Sequence, residues 1–103
     1  MPVTVTDAPE RGRYEAWIDG DVVGYAAYER RGSLIVFTHT EVNEDRQGEG
    51  VAGTLARAAL DDVRRRGLKA VPRCPYIAGW IRRHPDYVDV LAHRPPPGPD
   101  EPR

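Results

Sequence analysis

The residues of this sequence that could do chemistry fall in a few short clusters. His39 and Glu41 stand two apart. The run Gln47-Gly48-Glu49-Gly50-Val51-Ala52-Gly53 follows soon after. Cys74 is the only cysteine and sits directly before Pro75, and Arg83-His84-Pro85-x-Tyr87 comes last. A histidine or a carboxylate can take a proton from an attacking amine, directly or through water. Glycines at a strand-to-helix junction leave backbone N–H groups unpaired at the positive end of a helix dipole, which suits an anion such as a cofactor phosphate. The same glycines also serve a tight turn with close packing. A thiol just ahead of a helix start gains thiolate character and could accept an acyl group, or it could be a small buried hydrophobe. His84 could orient a ligand or bond a carbonyl of the last helical turn, and Tyr87 could donate a proton or pack in the core.

Elements to hold these groups are legible around them. Residues 3–6 read as a short strand, ended by Asp7-Ala8-Pro9. Residues 14–18 alternate and run into Asp19-Gly20, a two-residue hairpin signal, with 22–28 as the returning strand. A turn at 30–33 leads to the longest strand, 34–42. Short turns throughout predict a four-stranded antiparallel meander. Period-2 geometry in the fourth strand predicts Phe37, His39 and Glu41 on one face and Val36, Thr38, Thr40 and Val42 on the other, with His39 and Glu41 roughly 7 Å apart along the strand.

From Gly50 the apolar period becomes helical: Val51, Leu55, Ala59 and Val63, flanked by Ala52, Ala56 and Leu60, make one stripe. Arg64-Arg65-Arg66 stands where a helix end favours cations, and Gly67 can terminate it. Residues 68–71 form a fifth strand, which a right-handed crossover places parallel to the fourth. Pro75 opens a helix with Ile77, Trp80, Ile81 and His84 on one face, Pro85 stops it, and 86–91 add a short turn of helix. The expected fold class is therefore α/β, with a mixed five-stranded sheet and short C-terminal helices. One domain over residues 1–93 and a flexible proline-rich tail over 94–103 are expected.

Composition narrows the function classes. With 15 basic and 16 acidic residues the formal net charge is −1, which provides no general pull toward nucleic acid or an anionic membrane. No apolar run approaches the ~20 residues needed to span a bilayer. The N-terminal residues lack a basic start and an apolar signal segment, and one cysteine permits no internal disulfide, so a cytoplasmic monomer or weak homodimer is expected. His39, Cys74, His84 and His93 lack the close spacing of a zinc site, so no metal is expected.

Four landmarks in order give the sequence a family likeness: His39-Thr40-Glu41-Val42, Gln47-Gly48-Glu49-Gly50-Val51-Ala52, Pro72-x-Cys74-Pro75 and Arg83-His84-Pro85-x-Tyr87. Over about residues 3–91 the chain resembles the GCN5-related N-acetyltransferase superfamily, in its short YidJ/NATD1-like branch. The second landmark fits that superfamily's pyrophosphate pattern, Gln/Arg-x-x-Gly-x-Gly/Ala. The resemblance implies an acetyl-CoA-dependent transferase acting on an amine of a small molecule or a protein. It places the pantetheine arm against the backbone of Thr40 to Val42, between splayed fourth and fifth strands, and the pyrophosphate on the N–H groups of Gln47, Gly48, Glu49, Gly50, Val51 and Ala52. Cys74 and Arg83 are further implied cofactor contacts, and Cys74, Glu41, His39, Tyr87 and His84 the implied catalytic candidates. Glu49 is a departure in charge, and its side chain must point away from the phosphates. The helices that full-size members use to cover the acceptor are missing, which implies a shallow, open acceptor side. That leaves a second expectation, a CoA- or acyl-CoA-binding module without transferase activity.

Overall fold

The computed structural model describes residues 2–93, so the expected tail over 94–103 lies outside the described residues. Strands β1 (Thr4–Ala8), β2 (Arg13–Ile18), β3 (Asp21–Arg31) and β4 (Leu34–Val42) pair antiparallel in chain order, as the short turns dictate. The β2–β3 turn is Asp19-Gly20 with φ of 51° and 82°, the left-handed pair that matches strand twist in a two-residue hairpin. β1 runs past its expected end at Thr6, because Asp7 and Ala8 pair with Tyr14 and Arg13. The Tyr28 hydroxyl also donates to Asp7 at 2.6 Å. β3 likewise continues to Arg31, which narrows the next turn to Gly32-Ser33.

Helix α1 (Val51–Arg65) then crosses over, and β5 (Lys69–Pro72) pairs parallel to β4, from Leu34↔Lys69 to Phe37↔Pro72. Helix α2 (Pro75–Arg83) and a 3-10 helix (Pro85–Val90) follow, and Leu91 returns to bridge Ala70 on the outer edge of β5. The apolar stripe of α1 is spent as expected: Leu55, Ala56, Ala59, Leu60 and Val63 are fully buried, in one core with Tyr14, Phe37, Ile77 and Trp80. Burial of each large aliphatic side chain contributes roughly 1.5–3 kcal/mol. The arginine run at the helix end is engaged by acidic partners. Arg64 holds both oxygens of Asp89 at 2.6 and 3.0 Å, Arg65 pairs with Asp62, and Arg66 reaches Asp62 and Asp7, each at 3.1 Å. These contacts fasten β1 and the C-terminal 3-10 helix to α1. No helix among the described residues is long and apolar enough to cross a membrane.

One expectation about β4 is overturned. Ala27 pairs with His39 but Tyr28 pairs with Phe37, so Thr38 is an extra residue without a partner on β3. This bulge reverses the alternation. Phe37 shares the helix-covered face with Thr40, opposite Ala26, and with Val42, whereas His39 and Glu41 emerge on the other face beside Ala27 and Tyr25. Phe37 therefore does not share a face with His39 and Glu41. β3 runs close beside the strand end because Gly24 has no side chain: a Cβ there would lie 2.9 Å from the Glu41 carbonyl oxygen.

The second sheet face carries a buried carboxylate. Glu15 is 1% exposed; Arg11 donates to its two oxygens at 2.7 and 2.8 Å, and Arg13 donates at 2.8 Å. The Arg11 hydrogen bonds, then that of Arg13, hold its pKa down from 4.5 to about 2 against the effect of burial. A carboxyl whose folded pKa is depressed contributes stability that is full above its unfolded value. That stability is lost as pH falls through the folded value. Chain stability should thus decline between 4.5 and about 2. Glu15→Gln should flatten that decline and cost about 1–2 kcal/mol near neutrality, read by denaturant titration across pH.

Candidate functional site

The splay between β4 and β5 creates the site. Their pairing stops at Phe37↔Pro72 because the Phe37 carbonyl is taken by the Arg73 and Cys74 N–H groups, at 2.9 and 3.0 Å, as the chain turns into α2. From there β4 continues without a parallel partner. The Glu41 carbonyl lies toward Gly24 on β3, so by alternation the main-chain groups of Thr40 and Val42 face the open side. A groove of about 390 Å³ lies along this edge, lined by Thr40, Glu41, Val42, loop residues 46–48, helix-start residues 50–53, and Tyr76.

The loop end of the groove is built for an anion. Gly48 and Gly50 have φ of 86° and 78°, in the left-handed region that strains residues with a Cβ. At both positions an added Cβ would meet no protein atom, so the backbone conformation is what requires glycine there. Gly53 is different: it is already helical, and a Cβ there would make ordinary contact with Tyr76 and Trp80. Gly50 caps α1 without any side-chain hydrogen bond, so the first-turn N–H groups, from Val51 to Gly53, point outward without a side-chain partner. The Gln47 side-chain amide donates to the Val42 carbonyl at 3.3 Å and ties the loop to β4. Glu49 does turn away: it is exposed, pairs with Arg46 at 3.4 Å, and is not part of the groove wall. Main-chain donors, a dipole end and the Arg46 cation fit a phosphate-bearing ligand such as CoA.

The other sequence candidates divide. His39 Nε2 and Glu41 Oε1 lie 3.3 Å apart, both exposed on the sheet face opposite the helices, and no helix among the described residues covers them. Cys74 is 3% exposed at the N-cap of α2, with Sγ 3.2 Å from Thr40 Oγ1, so it reaches the groove through Thr40. Cys74 and the His39–Glu41 pair thus approach β4 from opposite sides. His84 Nδ1 is 2.8 Å from the Trp80 carbonyl and its ring stacks on Trp80 at 3.8 Å. A carbonyl only accepts, so Nδ1 carries the proton. Tyr87 is buried; it donates to Asp61 at 2.6 Å and accepts from Arg57 at 3.3 Å. Burial first, then the bond to Asp61, raises its pKa. Arg83 is exposed and folds over Gly79. His84, Tyr87 and Arg83 do not line the groove.

Two lining residues escaped the sequence reading. Tyr76 follows Pro75 directly and was eclipsed by the Ile77–Trp80–Ile81 stripe, although a phenol in the first turn after Cys74 was a usable signal. Arg46 precedes the glycine run, where a basic residue beside a phosphate loop is equally informative. Among the described residues no group of three or more His, Cys, Asp or Glu side chains could hold a metal ion.

Known proteins resemble this chain in sequence and in fold. Residues 13–90 match the family described as GCN5-related N-acetyl-transferase. Protein NATD1 from Gallus gallus is 44% identical over 67 residues, which cover 62% of this chain and 61% of that protein. The match thus spans about three-fifths of the relative's length. Among solved structures, a GCN5-like protein from Staphylococcus aureus superposes with a TM-score of 0.66 at 19% identity, over 85% of this chain and 86% of its own. A ribosomal-protein-alanine N-acetyltransferase from Brucella melitensis gives 0.53 at 20% identity, over 84% and 64%. The solved structures share the overall fold, and with its family match over residues 13–90 this chain belongs to the GCN5-related N-acetyltransferase family.

Proposed function

We propose that the protein transfers an acetyl group from CoA to an amine directly, with Glu41 and His39 as the base at the groove mouth. The observation that carries this reading is the groove itself. It has a phosphate cradle at one end and, on the uncovered sheet face beside it, a paired histidine and carboxylate. Pantetheine amides would pair with the main chain of Thr40 and the N–H of Val42 as an added strand does, since the Val42 carbonyl is held by Gln47. The amine nitrogen bonds to the thioester carbon as the carbon–sulfur bond breaks. Glu41 or His39 takes the amine proton, and the Tyr76 phenol, part of the groove wall, can protonate the departing sulfur.

The contact between Cys74 and Thr40 favours a second route, in which Sγ accepts the acetyl group, CoA leaves with the thiol proton, and the amine then displaces the cysteine. Intact mass after exposure to acetyl-CoA separates the two. Direct transfer predicts no stoichiometric acetyl adduct and sustained turnover in Cys74→Ala. An adduct that Cys74→Ala abolishes together with turnover establishes the covalent route. The uncovered acceptor face also supports a CoA-binding module without transfer. Amine-dependent thiol release well above thioester hydrolysis favours the enzyme, and tight CoA binding with no amine-dependent release favours the module.

A further inference from the structure

Arg46 is the only cationic side chain among the described residues that line the groove, and it is already engaged. Its Nη1 lies 3.4 Å from Glu49 Oε1, with Arg46 30% and Glu49 47% exposed. Gln47 cannot substitute for it, because the Gln47 amide is neutral and committed to the Val42 carbonyl. A pyrophosphate entering the cradle and the Glu49 carboxylate would therefore compete for one guanidinium. The loop main chain leaves Arg46 on the groove side and Glu49 outside.

We infer that Arg46 positions the CoA pyrophosphate and that Glu49 is its resting counter-ion, displaced when CoA binds. This rests on the CoA-binding reading above. Glu49 thereby weakens the phosphate grip through Arg46, which favours release of CoA after transfer. An exposed ion pair is weak, so the effect is a modest one on affinity.

Calorimetry of CoA binding to the full chain tests this with Glu49→Gln, Arg46→Gln and the double variant. Glu49→Gln should tighten CoA binding by about three- to fivefold, with the gain shrinking at high ionic strength. Arg46→Gln should weaken it about tenfold. In the Arg46→Gln background the Glu49 substitution should change nothing. Equal tightening in both backgrounds would mean that Glu49 repels the phosphates directly, and the inference fails; no tightening in either also overturns it. All variants should keep the wild-type melting temperature, as both side chains are on the surface. A wild-type chain that binds no CoA overturns the parent reading too, and is distinguishable from one that binds without this coupling.

Discussion

Replacing His39 with Asn and Glu41 with Gln together is expected to lower kcat for amine acetylation about a hundredfold, with CoA affinity little changed. General-base catalysis contributes at least about that much when the base is positioned. The two side chains share one site, with Nε2 and Oε1 3.3 Å apart, and either could receive the amine proton. Each single variant should consequently lose less than an independent role would demand, and the pH–rate profile should change shape in each. Both residues are exposed on the open sheet face, so folding should be untouched. The phosphate loop is separate from both side chains, so calorimetry with CoA serves as the control. A double variant with wild-type kcat would show that the proton leaves through another group, and the assignment of Glu41 and His39 would be wrong.

Phe37→Ala should destabilise the chain by about 3–5 kcal/mol, the usual cost of emptying a buried aromatic site. Small domains have about 5–15 kcal/mol in total, so the variant should sit near the edge of folding. Phe37 is fully buried, with ring centroids 6.2 Å from Tyr14 and 6.4 Å from Tyr28. Its carbonyl also marks the point where β4 and β5 part. The expected fall in melting temperature is about 15–30 °C, read by circular dichroism. Phe37→Leu should cost less than about 2 kcal/mol, because the volume is nearly kept. A Phe37→Ala protein that melts within a few degrees of the wild type would show that the core can collapse around the gap.

Legibility in the sequence followed the range over which each signal acts. The Asp19-Gly20 turn, the α1 stripe and the Gly67 stop are local, and the structure reproduces each. The parallel pairing of β5 with β4 follows from the helical crossover that joins them. Strand ends depend on partners far along the chain: nothing in Asp7-Ala8 announces pairing with Tyr14 and Arg13. The bulge at Thr38 has no local mark either, since Phe-Thr-His alternates well enough to pass as regular strand. At the site, Gly48 and Gly50 were readable because glycine alone tolerates their φ. Tyr87 belongs to a landmark, yet its hydroxyl is consumed by Asp61, and only three-dimensional packing could reveal that.

The unpaired residue at Thr38 can also be seen as a shift of phase. Along a strand, sidedness is a wave of period two, and one added residue moves everything downstream by half a wavelength. Without it, the Thr40 and Val42 side chains would turn to the uncovered sheet face, Cys74 would lose its hydroxyl neighbour, and the Glu41 carboxylate would be carried to the helix-covered face. An insertion or deletion at that position is therefore far from a neutral change of length. It would exchange the covered and uncovered sides of the strand along the groove while leaving the order of residues from His39 to Val42 intact.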